Sequence, residues 1–211
     1  MDEVLKPYVV RQGDTMTKLA YVRGFDAGEV WKDERNDALR ERRPDMDVLA
    51  PGDIVYLPEP KRDGLPITKG TTNRYVAKVP KITVHLALQG EDGAPLAGEP
   101  YEIRGLGEPV PGAVGDGGAV SFEAPITVRE VTLVLTERGL VFPVRVGDLD
   151  PLDEASGVRM RLAHLGYLRA PHEDDAAFDA AVAAFQAAQG LDVTGTVDDA
   201  TRSALKQAHG S

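Results

Sequence analysis

The chain has 211 residues, 42% of them hydrophobic and 27% charged, a balance that fits one to three globular domains and excludes a disordered or fibrous polypeptide. Its formal net charge of -10 and pI near 4.9 argue against partners of dense negative charge, nucleic acid and anionic lipid included. No cysteine is present, which removes disulfides, thiolate catalysis and Cys-ligated zinc.

Residues 1–7 lack the basic and apolar regions of a secretory leader, and no run of about 18 apolar residues occurs. The expectation is a chain without membrane insertion that stays in the cytoplasm as synthesised. Tyr8, Val9, Val10 and Arg11 then read as a strand, Gly13 and Asp14 as a turn, and Met16, Leu19 and Ala20 as one face of a helix stopped at Gly24. Asp14 or Thr15 supplies the oxygen that accepts from the first free amides of that helix. A second helix is predicted over 27–40, with Val30, Trp31 and Leu39 as its apolar members and Pro44 as its end. Leu49 and Ala50 lead into a turn at Pro51, Gly52 and Asp53, and a strand over 54–57 stops at Pro58. Strand, helix, helix, strand is a self-contained unit whose two strands can pair antiparallel.

In that order, the residues from Tyr8 to Ala20, then Asn36, then Leu49 to Pro58 resemble the lysin motif (LysM) domain. The resemblance covers about a quarter of the chain. It implies a grip on peptidoglycan or another N-acetylated glycan in a shallow groove, which backbone groups and a few apolar side chains would line. Gly13, Asp14, Thr15 and Met16 would form one side of that groove, and Leu49, Ala50, Pro51 and Gly52 the other. Turn formation and helix capping account equally well for Gly13, Asp14, Thr15 and Gly52. Trp31, the one tryptophan, reads as core beside Val30 rather than as a sugar platform. The charged run 32–43 is longer than the family's usual segment and would reshape the groove or form a solvated face.

Residues 59–80 are rich in Pro, Gly, Lys and Thr and show no apolar period, the composition of a linker. Lys61, Arg62, Lys69, Arg74, Lys78 and Lys81 make it locally basic, as a solvated connector or as a contact for an acidic partner.

From 81 to 150 the pattern is β. Residues 82–88 alternate strictly, and short runs follow at 101–104, 119–122, 131–135 and 141–146, separated by turn clusters at 89–93 and 115–118. This spacing predicts a small antiparallel sandwich, similar to immunoglobulin-like and carboxypeptidase-regulatory spacer domains. Gly105, Leu106 and Gly107 lack the third glycine and following helix of a dinucleotide fingerprint and read as a hairpin.

Over 151–211 helices are predicted at 157–167, stopped by Gly166, at 178–188, with Phe178, Ala181, Val182 and Phe185 on one face, and from about 197 onward, carrying Leu205. The acidic start at Asp198 and Asp199 suits a helix dipole. Leu162, Leu165, Gly166 and Tyr167, with Phe185, Gln186, Gly190, Leu191, Gly195 and Leu205, resemble the three-helix peptidoglycan-binding domain. The family's usual Asp-Gly-aromatic-Gly turn is replaced here by the acidic stretch Glu173, Asp174 and Asp175.

No catalytic constellation is found. His85, His164, His172 and His209 lack metal-ligand spacing, and no Gly-x-Ser-x-Gly elbow occurs. Residues 172–175 lack the alternate acids and central glycine of a calcium loop. The sequence therefore predicts a multidomain α+β protein: a βααβ LysM-like head at 1–58, a linker at 59–80, a β-sandwich spacer at 81–150 and a helical peptidoglycan-binding-like domain at 151–211. The expected function is non-catalytic recognition of peptidoglycan, without metal or cofactor. The alternative is a structural or adaptor role, because the module order is similar to proteins of type VI secretion and related contractile injection systems. In that role the partner is a spike or effector protein, and export would occur with the contractile machine.

Overall fold

The computed structural model describes residues 4–60, 64, 66–75, 78–90 and 93–210. Lys61 and Arg62 of the basic stretch, Glu91 and Asp92 of the predicted turn, and the first three residues lie outside the described residues. Three hydrophobic clusters organise the fold, one in the head, one in the β region and one among the last three helices.

The head contains β1 (Lys6–Val9), α1 (Met16–Arg23), α2 (Ala27–Trp31), a 3-10 turn (Glu34–Asn36), α3 (Asp37–Arg42) and β2 (Ile54–Leu57). β1 and β2 pair antiparallel with Tyr8 opposite Val55. Thr15 caps α1 by accepting from the Lys18 amide, and Gly24 ends it with φ at 79°. Trp31 lies in the core with Val10, Met16, Leu19 and Leu57.

The single helix predicted over 27–40 is instead two short ones. Asp33 opens the 3-10 turn by accepting from the Arg35 amide, and this draws Asn36, which has no exposed surface, into the core. Its Nδ2 donates to Val30 O at 2.9 Å and to Tyr56 O at 3.1 Å, while its Oδ1 accepts from Tyr56 N at 2.8 Å. The antiparallel register turns both backbone groups of Tyr56 away from β1. One carboxamide thus takes the place of a third strand at the edge of β2, which an unbroken helix would leave unmet.

The β region comprises β3 (Lys81–Ala87), β4 (Pro100–Arg104), β5 (Val110–Ala113), β6 (Ala119–Pro125), β7 (Glu130–Leu135) and β8 (Leu140–Arg145). They form two sheets, β3-β6 and β5-β4-β7-β8, packed over Ile103, Val120, Phe122, Val131, Leu133 and Leu135. β5 is absent from the sequence expectation, because its proline and glycine carry no β-strand signal. Gly112 makes room there for the Tyr101 ring of the neighbouring strand, which a Cβ would approach to 2.4 Å.

The tail is α4 (Ala155–His164), α5 (Asp175–Ala188) and α6 (Asp199–His209), packed over Leu162, Val182, Phe185 and Leu205. Asp174 and Asp198 cap α5 and α6 by accepting from the Ala177 and Thr201 amides.

Residues 147–157 join the three clusters. Gly157 packs against the preceding backbone so closely that a Cβ would lie 2.0 Å from Pro151 O and 2.7 Å from Asp150 O. Arg161 Nη1 donates to Asp150 O and to Gly157 O, each at 2.9 Å. From the head, Gln12 Nε2 donates to Asp148 O at 2.6 Å and to Asp150 Oδ1 at 2.9 Å. Arg43, 2% exposed, donates to Asp53 at 2.9 Å and pairs with Asp153 and Glu154.

Candidate functional site

In the tail, the Phe-Gln pair of α5 has a physical explanation. Phe185 is fully buried and meets Tyr167 edge-on, with ring centroids 5.4 Å apart. Gln186, also fully buried, holds the loop between α5 and α6. Its Oε1 accepts from Thr194 N and Gly195 N at 2.9 and 3.0 Å. Its Nε2 lies within 3.1 Å of Thr194 Oγ1 and within 2.9 Å of Thr196 O and Thr201 Oγ1. The loop is therefore held from beneath, its Thr194 and Gly195 amides spent on Gln186, while Val193, Thr194 and Thr196 stay exposed.

The acidic stretch that departs from the family pattern is fastened to α4. Arg159 donates to Glu173 O at 2.8 Å and to Asp175 Oδ1 at 2.6 Å, and its guanidinium lies 4.1 Å from the Phe178 ring centroid. Asp174 is spent on the α5 cap. Among the described residues no group of three His, Cys, Asp or Glu side chains is placed to hold a metal.

The structure brings together two histidines that the sequence left apart. His164 Nδ1 and His209 Nε2 lie 2.9 Å apart and the rings stack at 5.2 Å. Burial, the neighbouring imidazole and Arg161 push His209 down to about 4, and burial with Arg161 lowers His164. His172 and His85 are exposed and take no part in this pair.

In the head, the two loops expected to frame a groove are joined by Val10, which donates to Asp53 O at 2.8 Å and accepts from Gly52 N at 2.9 Å. Met16, Leu49 and Ala50 are at most 8% exposed and belong to the interior, which leaves only their backbone for the expected groove. Their apolar side chains fill the space beneath the loops. Pro51 and Gly52 are exposed, whereas Gly13, Asp14 and Thr15 are half-buried. Asp14 accepts from Tyr8 Oη at 2.7 Å and Arg11 N at 3.0 Å, and burial together with this carboxylate raises the Tyr8 pKa. Gly13 faces the 147–148 backbone, where a Cβ would come within 3.6 Å of Gly147 O and Asp148 Oδ1. Lys18 Nζ donates to Gly13 O, and burial lowers its pKa. The first loop is thus docked on the chain's own junction.

Gln12 and Arg43 make that docking, and neither stands out in the sequence. Arg43 ends the charged run 32–43, whose pattern reads as reshaping the groove or as a solvated face and does not single out this residue. Burial opposes its charge, but hydrogen bonds to Asp53 and Glu154 outweigh that penalty and raise its pKa. The same contact lowers the pKa of Asp53 against the desolvation of its own carboxylate.

Residues 154–205 match the family model described as "Putative peptidoglycan binding domain". No curated protein and no solved structure matches the chain. Among the described residues no helix is long and apolar enough to cross a membrane.

Proposed function

We propose that this chain is a non-catalytic peptidoglycan-binding protein whose principal grip is the C-terminal three-helix unit. The observation that carries the reading is the family match over 154–205, which falls on a folded bundle with its own core and a loop pinned by Gln186. The head serves as a second, LysM-like contact, with Pro51 and Gly52 as its accessible turn. Two weak contacts on one polymer gain avidity when both reach it.

Sedimentation with insoluble peptidoglycan tests this directly. The full chain is expected in the pellet at micromolar concentration, and soluble wall fragments should release it. Complete recovery from the supernatant would sink the proposal.

A second reading, the adaptor of a contractile injection system, draws support from one feature. The loop carrying Gly13 packs on the junction, which leaves the head less open surface for a glycan. Co-purification of a spike or effector protein with the chain tests this reading, and isolation of the chain alone from cells making both partners counts against it.

A further inference from the structure

The hydrogen-bond phase of each strand follows from its register. Leu88 N donates to Gly118 O and Ile126 N donates to Pro80 O, so the even-numbered residues of β3 face β6. The N–H and C=O groups of Lys81, Thr83, His85 and Ala87 consequently point away from the sheet. By the same alternation, Pro111 of β5, Pro125 of β6 and Pro143 of β8 all sit at positions facing away from their partners. Proline at such a position removes the donor that a further strand would need. Pro7 does the same on β1, and Asn36 occupies the outer edge of β2. Among the described edge strands, β3 has neither device.

The interior beside β3 is also incomplete. A sheet of two strands faces one of four. On β8, Leu140, Phe142 and Val144 stand opposite Leu135, Leu133 and Val131, and so point to the inside. Leu140 and Phe142 are nevertheless 45% and 36% exposed. Val84 and Leu86 of β3, and Leu88 just after it, pack against the core but are only half-buried. Between the two strands lies a cleft of about 1130 Å³. A strand matching the seven residues of β3 fills about 24 Å by 4.8 Å by 10 Å in a sandwich, on the order of 1100 Å³.

We propose that this slot takes an extended segment of a partner protein, about seven residues long, which adds to β3 as a third strand of the smaller sheet. Periodic backbone donors and acceptors on Lys81, Thr83, His85 and Ala87 select a polypeptide in extended form over other ligands. Apolar residues at alternate positions of the segment would cover Phe142, Val144 and Leu86. On the cleft wall Arg145 pairs with Asp148, whereas Glu130 is exposed and has no ion pair among the described residues, and the chain carries a net charge of -10. Both favour a segment that carries lysine or arginine. A second copy of this chain is a poor occupant, because Met160, Leu165 and His209 of the tail wall the cleft and leave room for a strand but not for another sandwich. The proposal concerns a protein partner and stands independently of glycan binding by the tail.

The test uses the full chain and a library of nine-residue peptides with valine, leucine or isoleucine at alternate positions and threonine or lysine between them. A retained peptide is resynthesised with N-methyl groups on the alternate residues whose amides would meet β3. Methylation in that register should weaken binding by about tenfold or more, whereas methylation in the opposite register should do so by less than about threefold. On saturation, hydrogen exchange at the Thr83, His85 and Ala87 amides should slow by about tenfold or more. Retention of no peptide at about 100 µM, equal binding of both methylated forms, or protection confined to β8 would overturn the proposal. So would dimerisation of the free chain that protects the same amides. Sedimentation with peptidoglycan, measured without peptide, reports separately on the tail.

Discussion

The head and the tail each depend on one buried carboxamide, but they use it differently. Asn36 supplies a strand's missing neighbour, so it completes regular structure inside the head. Gln186 organises an irregular loop on the surface of the tail. The head then commits further groups, Gln12 and Arg43, to the junction, while the tail's loop stays exposed at Val193, Thr194 and Thr196. A polar network that faces inward stabilises a module. The same chemistry under an exposed loop fixes the shape of that loop.

The contrast breaks most severely at Arg43. Arg43→Ala leaves Asp53, 5% exposed, without its buried partner, and is expected to lower stability to denaturant by about 3 kcal/mol or more. Measured by urea unfolding, a loss below about 1 kcal/mol would mean that the head does not lean on this contact. Gln186→Ala and Asn36→Ala should each cost about 2–3 kcal/mol, since each strands several buried backbone groups. They should differ in function: the Gln186 variant loses sedimentation with peptidoglycan while still folded, and the Asn36 variant retains it. Equal binding by the two variants would erase the distinction.

Acid should act on the tail before the head. The pKa of His209 in the fold, about 4, lies below its unfolded value near 6.5, so the unfolded chain takes up the proton first. The stability associated with this neutral imidazole is complete above about pH 6.5 and is lost as the pH falls towards 4. The loss is roughly 1–2 kcal/mol once solvent screening is allowed for. Urea midpoints at pH 7 and pH 4.5 check this, and the difference should shrink in His209→Phe. The smallest effect belongs to Asp175→Asn, which weakens an exposed pair with Arg159 by less than about 1 kcal/mol. Sedimentation of that variant should match the parent, and a clear loss would give the acidic loop a direct part in binding.

Much of this architecture was legible in the sequence because it follows local rules. Alternation marked β3, short β-type runs marked β6 and β7, and the helix stops at Gly24 and Gly166 lie where a positive φ is needed. What escaped was set by distant partners. The break between α2 and α3 exists because Asn36 serves Tyr56, 20 residues later. β5 hides behind a proline and a glycine that make sense only once its edge position and the Tyr101 ring are known. In the head, turn chemistry located the loops from Gly13 to Met16 and from Leu49 to Gly52. It carried no signal that Leu49 and Ala50 turn inward or that Gln12 and Gly13 meet the junction. His164 and His209 are separated by 45 residues, and no spacing rule connects them.

The close approach at Gly157 sets a mechanical limit on the whole assembly. With no room for a Cβ between the start of α4 and the carbonyls of Asp150 and Pro151, the turn into the tail is fixed in shape, and Gln12 and Arg43 bind the head to the same stretch. A polymer or partner touching both ends must match a span cast into the chain when it folds. Reach cannot be tuned by slack at this point.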